Sequence, residues 1–435
     1  MEDLSEGTAK ERHLKCLTKE VPFVFRTFLK SVTKIFDLPT WFQQISSTGI
    51  DPTHAPRTVA ALVLVGSLLR MRSVEQLEGW IRRGRMRRFG VRVISADTIR
   101  RQLAHVSPAD WHHLLHQIGR KLARNRVWPT LGGYHVVAID GVELFVQHAV
   151  TCADCLQRTV NKTTEWYHRI VVASTVGPIR RFVLAWEAVH PRDGEAKQEG
   201  EQTGAYRLLD TLFRQYHHQI DIVVADALYA SRVFIEAVLK HGWDAVIRLK
   251  EDQRLTILRD AQGLKKISKP VQVVKLERGQ VTLWDFLDLG WDHIGHLRII
   301  AWERVVTRSR RSRRHQGQRV TTTQTGWLLT TLGSHVSAFT VYNMMHHRWD
   351  LEECIFHQGK TTWQLQHCFG HDPAIIEALV GAQLMAITLW NWWTERGTVS
   401  PAFRRTARRT WMEIARDELV LMRTAWSEPW RLQSA

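Results

Sequence analysis

Two short apolar runs, each ending in an aspartate, constrain the fold of this chain more than any other feature. The first is YHVVAID, residues 134–140, and the second is DIVVAD, residues 221–226. Both runs are rich in Val and Ile, as buried strands are. Asp140 and Asp226 each end such a run. We therefore predict that both lie at the ends of buried strands of one sheet and contribute to one acidic site.

A third acid lies on a downstream helix. Residues 341–360, VYNMMHHRWDLEECIFHQGK, have apolar side chains at helical spacing and no Gly or Pro before Gly359, so we predict one helix. Arg348 and Glu352 are four residues apart and share a helix face, where a surface ion pair is the ordinary interpretation. The alternative is that Glu352 joins Asp140 and Asp226, because three neighbouring carboxylates repel one another unless a divalent cation is present.

The charge of the chain indicates a polyanionic partner. Lys and Arg number 60 against 43 Asp and Glu, a formal net charge of +17, which favours nucleic acid over an acidic membrane surface. No run of about 18 apolar residues occurs, so no membrane span is expected. The five cysteines fit a reducing cytoplasm better than a disulfide scaffold, and the charged N-terminus predicts no secretory signal.

The chain divides into four predicted regions. Residues 1–130 are predicted to be helical, with Arg clusters that favour DNA binding; an ordinary helical subdomain with a solvated basic face is the alternative. Residues 131–250 and 325–395 form the predicted core. Residues 251–324 alternate like strands and contain an Arg-rich tract, so they are predicted to be a β-rich insertion. Residues 396–435 are predicted to be a basic, helical C-terminal segment.

The predicted order of elements in the core is strand, strand, strand, helix, strand, helix, strand. This is the order of the ribonuclease-H-like fold, in which three antiparallel strands precede two parallel strands joined by helices. Its first acid lies on the first strand and its second acid just after the fourth, as Asp140 and Asp226 do here. The expected fold class is α/β: a ribonuclease-H-like mixed sheet flanked by helices, with a β-rich insertion before the last catalytic helix and an N-terminal all-α region.

The acidic motifs resemble those of the DDE transposases of bacterial insertion sequences, specifically those with a β insertion before the last acid. The AIDG of residues 138–141 and the ADALY of residues 225–229 look like the first two acid motifs, and Arg348 to Glu352 follows the RWxxE pattern of the last. Two positions depart from the family pattern: Met345 stands where a Tyr belongs, and Lys360 follows Glu352 by eight residues rather than seven. Glu353 is the alternative third acid.

The resemblance implies an enzyme that cuts DNA and joins the freed end to a target strand. Asp140, Asp226 and Glu352 would be the catalytic acids and the ligands of two Mg²⁺ ions, with Mn²⁺ as a substitute. Residues expected to contact DNA are Arg348, Lys360, Arg310, Arg311, Arg313 and Arg314. For Arg348 the alternative is that it orients Glu352.

The same resemblance implies the partners and the compartment. The expected partners are double-stranded DNA, as terminal inverted repeats and target DNA, and a second copy of the chain in a homodimeric synaptic complex. The expected location is the bacterial cytoplasm, at the nucleoid when bound to DNA. Two alternatives remain open at this point: a catalytically inactive, domesticated DNA-binding protein, and a ribonuclease-H-like nuclease that cuts without joining.

A CxxC pair, Cys152 and Cys155, raises the question of zinc. Zinc usually needs four ligands, and His168, Cys368 and His371 could supply the rest only if the fold brings them together. The favoured interpretation is that no structural zinc binds there. Trp349 is expected to pack in the core rather than stack on a base, and the remaining acids of the region are expected in solvated loops: Asp154, Glu165, Asp193 and Glu201.

Overall fold

The computed structural model describes residues 24–46, 54–86, 91, 93–149, 152–192, 197–291, 294–309 and 319–395, together with 412, 413, 415, 416 and 418. These residues fall into two compact units. The sheet unit comprises residues 115–360, and the helical unit comprises the described residues up to 114 and from 361 onward.

The elements are numbered in chain order. The strands are β1 (Val136–Gln147), β2 (Leu156–Val160), β3 (Thr163–Thr175), β4 (Val183–Ala188), β5 (Ile222–Ala225), β6 (Asp244–Leu249), β7 (Gln272–Leu276), β8 (Gly279–Gly290), β9 (His296–Ser309) and β10 (Arg319–Thr330). The helices are α1 (Val24–Phe36), α2 (Leu38–Phe42), α3 (Pro56–Leu68), α4 (Val74–Arg82), α5 (Ala96–Ala104), α6 (Pro108–Arg124), α7 (Glu201–Tyr216), α8 (Arg232–Lys240), α9 (Thr256–Ile267), α10 (Ala338–Asp350), α11 (His357–Thr361) and α12 (Pro373–Thr394). A π-helical segment, Leu351–Phe356, joins α10 to α11.

All ten strands form one mixed sheet. Its order is β2-β3-β1-β5-β6-β10-β9-β8-β7, and β4 pairs with β3 beyond the β2 contact. Strands β1, β5 and β6 are parallel, and the other pairings are antiparallel. The path β4-β3-β1-β5-β6 is the ribonuclease-H-like arrangement, so the predicted fold class is confirmed.

The two apolar runs form the centre of this sheet because they are buried on both faces. Residues Val136 to Ile139 and all four residues of β5 are buried, as expected for strands covered on both sides. One detail of the prediction is wrong. Asp140 does not end its strand, because β1 continues to Gln147 and stays paired with β3 along this length.

The polar segment after β1, where Asp154 and Glu165 were expected in solvated loops, contains strand β2. Residues Arg158 to Glu165 form a hairpin whose turn residues, Asn161 and Lys162, both have positive φ, 48° and 65°. Two consecutive left-handed residues at a two-residue turn match the right-handed twist of a hairpin. The hairpin was not predicted because its charged side chains are typical of a solvated loop. In the structure Arg158 is paired with Glu143 and Glu165 across the strands.

The predicted insertion is rich in strands, but it is not a separate layer. Strand β10 pairs with β6, and β9, β8 and β7 follow it, so the insertion extends the core sheet. It also contains helix α9, which was not predicted. The Arg-rich residues Arg310, Arg311, Arg313 and Arg314 lie outside the described residues.

A buried arginine ties the insertion to the start of helix α10. Arg298 on β9 is 3% exposed and pairs with both carboxylate oxygens of Asp285 on β8, at 2.7 and 2.8 Å. It also donates to the carbonyls of Gly333 and Val336, both at 2.7 Å. The next residue, Ser337, caps α10 by accepting from the backbone N–H of Thr340.

The helical unit is built around α12, which is apolar on all sides. Helices α1, α3 and α5 pack on it, and the backbone N–H of Phe25 donates to Glu418. By length and composition alone α12 is apolar enough to cross a membrane, but 78% of its most apolar window is buried inside the protein. Residues 361–395 therefore pack with the N-terminal helices, whereas the prediction placed them with the core.

Candidate active site

Asp140 and Asp226 are brought to the same place by neighbouring parallel strands. The pairing of β1 with β5 ends at Ala138 and Val224, and each aspartate lies two residues further along the chain. Asp226 follows the last residue of β5, and its carboxylate accepts from the backbone N–H of Leu228 at 2.8 Å. Both aspartates therefore lie at the carboxyl ends of the paired segments, where α/β sheets commonly carry their sites.

Arg348 joins the third acid to the first. Its guanidinium donates to Asp140 Oδ2 at 2.7 Å and to Glu352 Oε1 at 2.6 Å. Arg348 is 4% exposed, so the surface ion pair expected from the spacing alone is wrong. Such charge-assisted hydrogen bonds fix the positions of both carboxylates relative to the guanidinium group. The partnership favours the interpretation in which Arg348 orients Glu352.

Glu352 lies in a π-helical turn. The helical segment from Ala338 to Thr361 is continuous, but residues Leu351 to Phe356 have the wider π turn. A π turn closes i→i+5 hydrogen bonds and so holds one residue more than an α turn. Lys360 follows Glu352 by eight residues, and the π turn between them holds one residue more than an α turn. Lys360, which is half-buried, therefore lies on the helix face that it would occupy in a regular α-helix at a spacing of seven.

The alternative third acid is placed differently. Glu353 is exposed, and its carboxylate accepts from the indole N–H of Trp349 at 3.2 Å. Trp349 is itself 49% exposed, so the expectation that it packs in the core is wrong. Of the two glutamates, Glu352 is the one that shares Arg348 with Asp140.

A fourth carboxylate, Glu201, lies at this site, although it was expected in a solvated loop. Glu201 begins α7 and accepts from the hydroxyl of Tyr229 at 2.8 Å, and its side chain is 11% exposed. A Cβ atom added at Gly141, the residue after Asp140, would overlap the Glu201 carboxylate. The glycine therefore allows this close approach. Gly141 in a buried strand was the available sequence signal, because a strand glycine often marks a close neighbour.

Burial and like charges perturb the protonation of the acids. Burial raises the pKa of Asp140 to about 7, against the lowering effect of Arg348, and Asp226, Glu201 and Glu352 raise it further. Burial also raises the pKa of Glu201, while Tyr229 and Arg169 lower it. Four carboxylates thus share two nearby guanidinium groups, and the site carries excess negative charge.

A groove with a volume of about 680 Å³ runs beside helix α10. It is lined by aromatic side chains, including Trp302, Tyr342 and Trp349, and by the cationic side chains of Arg248, Arg304 and Arg348. Trp302 and Tyr342 meet at 5.5 Å between ring centroids. Aromatic faces alternating with guanidinium groups are typical of surfaces that bind nucleic-acid strands.

The residues considered as zinc ligands fall into two groups, one in each unit. Cys152, Cys155 and His168 lie together in the sheet unit. Cys368 and His371 belong to the helical unit, where Sγ of Cys368 is 3.6 Å from Nδ1 of His371. Asp154 lies in the turn between the two cysteines, Glu165 lies on β3, and Asp193 is outside the described residues.

Comparison with known families shows the family of this chain. Residues 132–389 match the family model of the transposase DDE domain, so the chain belongs to that family. All of Asp140, Asp226, Glu201 and Glu352 lie within the matched segment.

The structure described as a cryo-EM structure of the piggyBac transposase synaptic complex with hairpin DNA is similar to this chain, with a TM-score of 0.41 and 10% sequence identity. The similarity covers 89% of this chain and 77% of that one. No curated protein matches the chain.

The raised pKa of Asp140 predicts how stability depends on pH when divalent cations are removed. The carboxyl group titrates at its ordinary 3.8 in the unfolded chain and at about 7 in the folded protein. Between these values folding takes up a proton, so stability falls as the pH rises. Asp140→Asn abolishes this titration. From about pH 5 to about pH 8, its free energy of unfolding should fall by about 2 to 3 kcal/mol less than that of the wild type.

Urea denaturation in EDTA at the two pH values measures this difference. Asp252→Asn changes an exposed aspartate and should follow the wild type. Equal pH dependence in Asp140→Asn and the wild type would show that Asp140 is ionised throughout this range.

Proposed function

We propose that this protein is the transposase of a bacterial insertion sequence, which binds the ends of its element and catalyses Mg²⁺-dependent DNA cleavage and strand transfer. The observation that carries the proposal is the convergence of Asp140, Asp226 and Glu352 from two neighbouring strands and one helix, with Arg348 between the first and the last. Family membership supports the class of reaction.

The donor set suits a hard divalent cation. The available ligands are carboxylate oxygens, which Mg²⁺ prefers and which Mn²⁺ also accepts. Burial, and to a smaller extent the neighbouring carboxylates, raise the pKa of Asp140. A divalent cation would neutralise the negative charge of these carboxylates. Asp140, Asp226 and Glu352 would hold the metal, which when bound activates water and stabilises the leaving 3′ oxygen.

Arg348 would have a positioning role in the reaction. Arg348 holds Asp140 and Glu352 in place through the two bonds described above, which fixes the acids before DNA arrives. Water attacks the phosphorus and the bond to the 3′ oxygen breaks, which releases a 3′-OH. In the second step that hydroxyl attacks a target phosphorus, the bond from this phosphorus to the target 3′ oxygen breaks, and a target 3′-OH is released. One set of acids would serve both displacements.

The groove beside the catalytic helix is the proposed path of the DNA strand. Arg304 and Arg248 would contact phosphates, and Trp302 and Trp349 present aromatic faces to the bases. Lys360 would add a further phosphate contact, because the π turn places it on the face of Glu352. Arg310, Arg311, Arg313 and Arg314 are proposed to contact DNA on the strength of their charge alone.

The proposed assembly follows from the reaction. Both ends of an element must be held during transfer, so the protein would act as a homodimer on terminal inverted repeats and target DNA. A net charge of +17 suits this substrate at the nucleoid of a bacterial cytoplasm.

The decisive test is cleavage and strand transfer on a labelled oligonucleotide that carries the terminal repeat of the element. The wild type should cut and join in Mg²⁺ or Mn²⁺. Asp226→Asn should lose both activities by at least about 10³-fold, because a divalent metal loses a ligand, and should still bind the oligonucleotide.

The same assay separates the alternatives. Cutting without joining by the wild type would indicate a nuclease. Tight binding with no cleavage in either metal would overturn the proposal and indicate a DNA-binding protein with an inactive site. Urea unfolding of Asp226→Asn controls for loss of fold.

Lys360→Gln tests the phosphate contact. Removal of one cation should weaken DNA binding at all sequences and make the slope of log affinity against log salt shallower by about 1. Lys240→Gln, an exposed change at the end of α8, is the matched control and should leave the slope unchanged. A slope equal to that of the wild type in Lys360→Gln would remove Lys360 from the interface.

Glu201→Gln tests the fourth carboxylate. Gln can keep the hydrogen bond from Tyr229 and the fit against Gly141, but it removes a negative charge beside Asp140. The Mg²⁺ concentration for half-maximal cleavage should rise by about 10-fold or more, and the increase in Tm caused by Mg²⁺ should shrink. Glu165→Gln on the neighbouring hairpin is the control. An unchanged Mg²⁺ requirement would make Glu201 a structural carboxylate.

A further inference from the structure

A second group of potential metal ligands lies at the other end of β1, beyond the strand segment that carries Asp140. Cys152 and Cys155 come from the connection between β1 and β2, and His168 comes from β3. The two Sγ atoms are 3.4 Å apart, and Nε2 of His168 lies 3.1 Å from Sγ of Cys152 and 3.5 Å from Sγ of Cys155. The three ligand atoms thus form a compact triangle.

The triangle has the size that a tetrahedral zinc ion requires. Zinc binds thiolate sulfur at about 2.3 Å and imidazole nitrogen at about 2.0 Å. Tetrahedral angles then place the ligand atoms about 3.5 to 3.8 Å apart, a few tenths of an ångström wider than the observed separations. A disulfide needs sulfur atoms about 2.05 Å apart, so the present arrangement is that of two thiols and an imidazole turned toward one centre.

The surroundings are those of a built site rather than a surface coincidence. Cys155 is 6% exposed and His168 is 8% exposed. The ring of Phe145 on β1 packs against the imidazole of His168 at 5.1 Å between centroids. The three ligand atoms are therefore held by one strand and a connection, with Cys155 and His168 buried and Cys152 half-buried. Such burial protects a thiolate metal site from exchange.

We propose that Cys152, Cys155 and His168 bind a structural zinc ion. Binding releases the two thiol protons and leaves the fourth coordination position to a neighbour in the same connection or to water. His148 and Asp154 are the neighbours closest in sequence. The ion would join the end of β1 to the start of β2 and to β3.

The position of the site suggests what the zinc would stabilise. Strand β1 carries Asp140, which pairs with Val172 of β3, and His168 lies four residues before Val172 on the same strand. Between the zinc site and Asp140, Glu143 binds Arg158 and Arg169 at 2.6 and 2.7 Å. A zinc ion would fix the far end of this layer and so limit its fraying, without touching the reacting groups.

The test measures zinc in the purified full-length protein by elemental analysis. The wild type should retain about one zinc ion per chain after dialysis against metal-free buffer. Cys152→Ser, Cys155→Ser and His168→Asn should each lose it. Cys354→Ser and Cys368→Ser are the matched controls and should retain it. Loss of zinc from Cys368→Ser but not from Cys152→Ser, or a wild type without zinc after growth in zinc-supplemented medium, would overturn the proposal.

A second measurement needs no variant and so does not depend on folding of the mutants. Iodoacetamide labelling of the wild type, read by mass spectrometry, should spare Cys152 and Cys155 until a chelator is added, while labelling of Cys354 stays constant. Cobalt substitution should give the charge-transfer absorption of thiolate–Co²⁺ bonds. Labelling of the pair that is independent of chelator, or recovery of the pair as a disulfide in freshly purified protein, would also overturn the proposal.

Discussion

The site depends on one buried interaction, the pairing of the Arg348 guanidinium with Asp140 and Glu352. Arg348 is removed from water, which is costly unless its charge is compensated at close range. The compensation comes from a strand and from the same helix, so the pair of bonds sets the register of the helix against β1. The relative position of Asp140 and Glu352 is therefore a consequence of how one cation is buried.

Much of this could be predicted from the sequence, because the determining signals are local. Strand β5 is a continuous buried apolar run, as predicted. These local signals predicted the order of strands and helices in the core. That order indicated that Asp140 and Asp226 lie near each other. The family pattern added Glu352, which periodicity alone could not separate from a surface ion pair.

What could not be predicted depends on contacts between residues distant in sequence. Glu201 has a charged side chain in a polar stretch, and nothing in that stretch indicates that Gly141 leaves room for it 60 positions earlier. The charged sequence of the β2–β3 hairpin is that of a solvated loop, but Arg158 is paired with Glu143 and Glu165 across the strands. The π turn at Leu351 to Phe356 has no compositional signature, yet it reconciles the spacing of Glu352 and Lys360 with the family pattern.

The insertion connects the groove to the acidic site through one sheet. Because β10 pairs with β6 and β9 pairs with β10, the strand that carries Trp302 and Arg304 continues the same sheet that carries Asp140 and leads to Asp226. Arg298 then joins β9 to the two carbonyls that precede α10, the helix of Arg348. A buried ion pair is a poor source of net stability but a good source of specific geometry. The groove and the acids are thus held at a fixed separation, so a strand bound in the groove would meet the acids at a set phosphate.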